Sequence, residues 1–407
     1  MPVWRRNLYV LFIVQVLSTA GFSLVFPFLP LYVKQIGIAT SGSLEFWVGL
    51  VFSSQAITMM LSAPVWGALA DRYGRKPMLV RATLGGAVLL TLMGFAQNAE
   101  QLVVLRTIQG LVTGVVSAAS ALVAASAPRE KSGEAMGLLQ TGRAIGVAAG
   151  PVVGGILGDA FGFRESFWIT GALLGAAGAA TIVWVHEEFV PKPKDSRPSL
   201  FGGYRQLLAA PGMGGLYELN FLRSLGQSMI LPVASLFVVS LMGTEVGAAS
   251  VTGILMGAAA LTGAISAVWL GRLGDKVGHN RVLLVSAVAA TLCYAPQPFV
   301  TAAWQLVILQ ALAGFAVGGM LPAISALMNL WAPAGNQGAT YGLDTSINAA
   351  ARSIAPMMAA AVASWIGLRG VFGAGALVYA LIVVLILHML RTTAGKQQPA
   401  LRVAGDD

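Results

Sequence analysis

Six ionisable residues stand inside long apolar runs of this 407-residue chain: Arg106, Arg143, Glu218, Arg223, Asp344 and Arg352. Charge in an apolar span is costly and marks an ion, proton or ligand pathway by default. A carboxylate there can load and release a proton. A guanidinium there can hold an anion or organise a polar network. Asp344 and Arg352 are eight residues apart and share a helix face, with Asn348 between them. Asp344 lies roughly 9 Å inside its run by helical rise. It is the best candidate for carrying a proton; a structural ion pair with Arg352 or a basic loop residue is the alternative. Glu218 is a second candidate, although its angle points it away from the polar side of its own helix. For Arg106 the bland role is donation to backbone carbonyls or to Gln109.

A further polar stripe surrounds these charges. Gln15, Ser18, Thr19, Phe22 and Phe26 fall on one face of the first run at 100° per residue. A shift of 205 residues maps the first four onto Asn220, Arg223, Ser224 and Gln227. Both helices therefore turn a polar face the same way, toward a shared central cavity. With them we place Gln109, Arg143, Gln310 and Asn348 as expected cavity residues. Phe22, Phe26, Met59, Met60 and Met229 offer adaptable apolar contact. One cysteine, Cys293, and three histidines exclude an internal disulfide and argue against a metal site. No Walker A sequence is present, so ATP is not the expected energy source, and no catalytic triad or cofactor motif is found. A lipid-directed enzyme would need nucleophiles or metal ligands near a membrane interface, and none cluster.

The elements that must position these residues are membrane helices. The chain is 57% hydrophobic and 10% charged, against about 25% charged residues in a soluble domain. Apolar runs fall near 8–33, 46–69, 78–97, 101–125, 133–158, 164–185, 212–240, 250–273, 282–298, 304–329, 338–366 and 370–390. All but 282–298 reach the roughly 20 residues a span requires, and that one comes close. They give an all-α membrane protein of twelve spans. The first run is too long for a signal peptide and reads as an uncleaved span. Basic residues crowd alternate loops (Asp71 to Pro77, Arg129 to Lys131, Lys192 to Arg205, Arg272 to Arg281), which places both termini in the cytoplasm by the positive-inside rule. That pattern accounts for the net charge of +9 without nucleic acid. The expected organisation is a six-span half over 1–185, a cytoplasmic linker over 186–211 with an amphipathic segment around Tyr204 to Leu208, a second half over 212–391, and a cytoplasmic tail over 392–407.

The halves repeat. Gly67, Asp71 and Gly74 recur as Gly271, Asp275 and Gly278 at a shift of 204 residues. Leu105, Gly110 and Gly114 recur as Leu309, Gly314 and Gly318 at the same shift, and Gly21 and Pro27 as Gly226 and Pro232 at 205. Parallel halves related by an axis along the membrane normal are a known transporter architecture.

Three segments give this repeat a family. Gly67 to Pro77 resembles the signature loop of the major facilitator superfamily. Gly137, Gly146, Gly150-Pro151 and Gly154-Gly155 resemble the glycine-proline motif of its drug:proton antiporters, and Leu105-Arg106 with Gly110 and Gly114 resembles their span 4 motif. The N-terminal half is most similar to multidrug transporters of the MdtG type. The resemblance implies a conformational latch, Gly67, Asp71, Arg72, Gly74 and Arg75, whose aspartate docks on the N-terminus of span 11, a site of partial positive charge. Its mirror, Asp275 against span 5, would meet Glu134, so the latch should be asymmetric. The resemblance also implies a proton-coupling role for Arg106. Gly146, Gly150 and Gly154 form a smooth stripe, with Pro151 permitting a bend; the stripe serves tight packing, sliding between the halves, or both.

The expected function is export of amphipathic small molecules by proton antiport with alternating access, by a monomer whose partners are substrate, protons and lipid. The first span carries no acid of the kind many such antiporters have. Arg106 and Arg143 without an acid suit an anionic or zwitterionic amphiphile, so the alternative is a lipid or glycolipid flippase on the same fold.

Overall fold

The structure, a computed structural model, describes residues 2–187, 212–332 and 337–401; the side chains of Asp71, Arg129, 337–339 and 392–401 lie outside the described set. Among the described residues every regular element is helical. Eleven helices are long and apolar enough to cross a membrane, and a bent pair makes the twelfth span. Most of the expected 186–211 linker lies outside the described residues.

Eight spans are single helices. Spans 2 and 3 are Leu44–Tyr73 and Arg75–Met93, and spans 5 and 6 are Ser132–Phe161 and Phe163–Trp184. Spans 8 and 9 are Ala248–Val277 and His279–Tyr294, and spans 11 and 12 are Gln337–Ile366 and Leu368–Leu401. Each of these four pairs turns on one glycine: Gly74, Gly162, Gly278 and Gly367, at φ of 99°, 99°, 95° and 90°. Side chains with a Cβ avoid that region, so one residue serves as C-cap and N-cap together. The loop expected over Asp71 to Pro77 therefore shrinks to Gly74. Pro77 falls in the first turn of span 3, where a missing N–H leaves no bond unmade.

Four spans are broken. Span 1 runs Val3–Leu24 and resumes at Leu29–Ile36; span 4 runs Ala99–Val112 and Val115–Ser126. Span 7 runs Met213–Met229 and Ala234–Met242 with a 42° bend; span 10 runs Ala303–Gly318 and Met320–Trp331. The breaks hold Pro27, Gly114, Pro232 and Gly318-Gly319. Proline removes a helix hydrogen bond, and Gly114 has φ 145°. The interrupted spans are thus 1, 4, 7 and 10, at repeat-related positions.

Neighbouring hydroxyls bind backbone carbonyls of spans 4 and 10. Thr58 donates to the Thr107 carbonyl at 2.9 Å and Thr262 to that of Ala311 at 2.7 Å, both pairs obeying the shift of 204. Ser62 donates to Gly110 at 3.2 Å and Ser266 to Phe315. In lipid such carbonyls need an internal partner.

The N-terminus, Tyr73 and Trp184 share one face of the bundle, the terminal face; residues 37–43, 94–98 and 243–247 lie at the far face. The halves meet closely toward the far face. A Cβ on Gly155 would lie 2.2 Å from the Ala249 carbonyl, and one on Gly253 2.2 Å from that of Pro151. Span 2 meets span 11 at Gly49 and Ala360. Toward the terminal face, Gly67, Gly133 and Gly137 face open space. The halves therefore part as a crevice open to the terminal face.

Candidate transport site

Spans 7 and 11 build the densest polar cluster. Asn220 donates from Nδ2 to Asp344 Oδ1 in a close contact. Arg223 donates from Nε to Asn220 Oδ1 at 2.8 Å and reaches Gln227 Oε1 and Asn348 Oδ1 at 3.3 Å each. Asn348 returns to the Asp344 carbonyl at 2.9 Å. Asp344 is half-buried, and Asn220 and Arg223 are buried. The expected faces of the two helices thus meet. The partner of Asp344 is Asn220, with the charge of Arg223 close by; Arg352 forms no ion pair with it among the described residues. Arg352 instead lies in the field of Arg223 and Arg143.

The N-terminal half holds its buried cation without an acid. Arg106, 1% exposed, donates through one terminal nitrogen to Gln55 Oε1 at 2.8 Å and Gln109 Oε1 at 3.0 Å. Its Nε and second terminal nitrogen have no partner among the described residues. Gln109 is as foreseen; Gln55 was missed, although it is the one amide in its apolar run. No contact links Arg106 to Arg143 among the described residues.

Several expected cavity residues are turned elsewhere. Gln15 is buried and donates to Thr19 of its own helix at 2.9 Å. Gln109 is consumed by Arg106. Gln310 donates to Gln297 Oε1 at 3.1 Å inside the C-terminal half. Gln227 is exposed, Thr19, Phe22, Phe26 and Arg143 are half-buried, and Phe26 stacks obliquely with Phe52 at 5.8 Å. Glu218 is exposed and joins none of these bonds.

The glycine stripe of span 5 faces span 1, not the other half. A Cβ on Gly146, Gly150 or Gly154 would meet Ala20, Ser23 or the Leu24 carbonyl at 2.8, 2.1 and 1.8 Å. Gly155 and the Pro151 carbonyl, turned away from the stripe, form the contact between halves.

The docking of Asp71 on span 11 concerns side chains outside the described residues. Gly67 beside it faces open space, and Arg72 lies 5.1 Å over the Tyr73 ring. Arg75 and Lys76 donate their backbone N–H groups to the Glu187 carboxylate at 2.7–2.9 Å, which caps span 3. Asp275 meets His279 of its own half at 3.4 Å, and Glu134 pairs with Lys131 at 3.3 Å. At the far face, Asp159 accepts the Ser250 N–H at 2.7 Å, a span 5 carboxylate on the first turn of span 8, and Lys34 pairs with Glu245.

The chain matches the model of the Major Facilitator Superfamily over residues 11–221 and 216–404. It is 36% identical over 404 residues to the multidrug resistance protein MdtG of Enterobacter lignolyticus (strain SCF1), spanning 99% of this chain and 97% of that one. A bacterial homologue of the human lysosomal transporter Spinster, in an inward-facing and occupied conformation, has a TM-score of 0.80 at 15% identity over 96% of this chain and 98% of its own. The nucleoside transporter NupG has a TM-score of 0.76 at 14% identity, covering 96% and 99%. At those identities the solved structures speak for fold alone. The family match and the nearly full-length identity carry the assignment: the chain belongs to the major facilitator superfamily and is a multi-pass membrane transporter.

Proposed function

We propose that this transporter exports amphipathic small molecules from the cytoplasm across a bacterial inner membrane, in exchange for protons, by alternating access. The observation that carries the reading is Asp344, a carboxylate between spans 7 and 11 in a bundle parted toward one face. Basic loops favour a cytoplasmic terminal face, which makes the described conformation inward-open. The name of the MdtG relatives supports several substrates rather than one.

Protonating Asp344 weakens its hold on Asn220 and removes the anion facing Arg223. Exchange requires that the deprotonated form close the terminal face with substrate bound, and that the proton-loaded, substrate-free form reopen it and release the proton there. The test is transport in proteoliposomes with an imposed pH gradient, over cationic, neutral and anionic amphiphiles. The expected result is gradient-driven accumulation that Asp344→Asn loses while keeping downhill exchange. Uphill transport surviving in Asp344→Asn would remove this helix from the coupling mechanism.

A further inference from the structure

Three guanidinium groups lie well inside the spans that border the crevice, and one carboxylate, Asp344, stands beside one of them. Arg143 comes from span 5 of one half; Arg352 and Arg223 come from spans 11 and 7 of the other. Arg352 feels the charges of both Arg223 and Arg143. By helical rise Arg143 lies roughly 17 Å, and Arg352 about 22 Å, from the terminal-face starts of their spans. The ion pairs among the described residues all lie at the ends of the bundle. Asp344 is already engaged by Asn220 and stands nearest Arg223. Arg106 is turned to its glutamines, and Glu218 joins no contact here. Arg143 is half-buried and Arg352 exposed, both without an acidic partner among the described residues. At a shift of 204 their counterparts are Ile347 and Ala148, so the pair is not a by-product of the internal repeat.

We infer that Arg143 and Arg352 clamp the anionic group of an amphiphile, a sulfonate, carboxylate or phosphate, and that the halves close on the terminal side only with that anion between them. This rests on the transport reading above and deepens it. Each half supplies one cation, so rocking the halves together drives like charges toward each other. An anion between them turns the same movement from unfavourable to favourable. Guanidinium forks suit oxyanions, which they bind through two parallel hydrogen bonds.

The experiment uses a matched pair of permanently charged probes, 1-naphthalenesulfonate and 1-naphthyltrimethylammonium, with the purified full chain. Binding is read as a thermal shift and transport in proteoliposomes; a third arm follows fluorescent phosphatidylglycerol between leaflets. The sulfonate is expected to bind at least tenfold tighter than the ammonium. Arg143→Gln and Arg352→Gln should each weaken it about tenfold or more, with the lysine variants intermediate. Distance measurements between labels on spans 2 and 11 at the terminal face should show closure with the sulfonate in the parent and none in either glutamine variant. Sulfonate binding without transport would keep the clamp and sink the export reading. Lipid movement lost in the glutamine variants, with the sulfonate silent, would keep the clamp and assign it to a lipid headgroup. Equal binding of both probes, sulfonate binding unaltered in both glutamine variants, or silence of sulfonate and lipid alike, would overturn the inference.

Discussion

Arg106 sits in the N-terminal half with two glutamine oxygens and no carboxylate. A guanidinium offers five donors in a fixed fork; an ammonium offers three on a flexible stem. Gln55 and Gln109 lie on different helices, so one nitrogen of the fork ties span 2 to span 4, and the fixed guanidinium plane sets where that nitrogen stands. We expect Arg106→Lys to lower transport at least tenfold at matched expression, measured in vesicles with any accepted substrate; near-normal activity would reduce Arg106 to a charge. The polar face of span 7 was legible from the periodicity of Asn220, Arg223 and Gln227, and its meeting with Asp344 and Asn348 follows from packing two such faces. Gln15 and Gln310 show where that reasoning stops. Their faces were correctly polar, but a polar side chain in lipid can bond within its own helix, as Gln15 does with Thr19, or within its own half, as Gln310 does with Gln297, instead of lining a cavity. Which of the two occurs depends on helix rotation, and a period of 3.6 residues does not fix rotation.

Helices come together here through missing side chains. Gly154 lies so close to the Leu24 carbonyl that a methyl group would stand 1.8 Å from it. Backbone on both sides leaves nothing flexible to yield, and such overpacking costs typically 1–3 kcal/mol. We expect Gly154→Ala to lower the unfolding temperature in detergent and to lower transport. Gly137→Ala, with nothing within 4 Å, should leave both unchanged. Equal effects would mean that the motif acts as a unit rather than through contacts. The spacing by four made the stripe readable; that it faces span 1 was not readable, because a smooth surface carries no mark of its partner. The breaks in spans 1, 4, 7 and 10 were not read as breaks: Pro27, Pro232, Gly114 and Gly318 stood as landmarks of the repeat.

At the scale of the whole bundle, an acid of the N-terminal half stands at a helix start of the other half on the far side, and a second is proposed for the terminal side. Asp159 occupies the far-side position on span 8, and Asp71 is proposed for the terminal-side position on span 11. A carboxylate at a helix N-terminus is worth about 0.3–1 kcal/mol when exposed and up to ~2 when partly buried. Removing either should shift the conformational balance several-fold, in opposite directions. We expect Asp159→Asn to raise the far-side-open population and Asp71→Asn the terminal-side-open one, read as accessibility of single cysteines near Glu245 and Gly67. Asp71→Asn should also cut transport more than Asp275→Asn, since span 11 begins without an acid and span 5 carries Glu134. Equal losses would remove the asymmetry. The repeat made the two halves legible, but not the far-side fastening, because Asp159 looks like any acid at the end of an apolar run.

That fastening is made of solvent-facing charge: Lys34 with Glu245, roughly half exposed at 48% and 56%, beside the Asp159 cap. Ions screen such pairs over about 8 Å at physiological strength and about 3 Å at 1 M, while the glycine contacts below are indifferent to salt. On the orientation and cycle proposed above, we expect the outer compartment's ionic strength to act as a setting: brine outside loosens the shut side, dilute medium tightens it. A cell moved from fresh to salty surroundings would find the same protein resting in a different posture, with no ligand or modification involved.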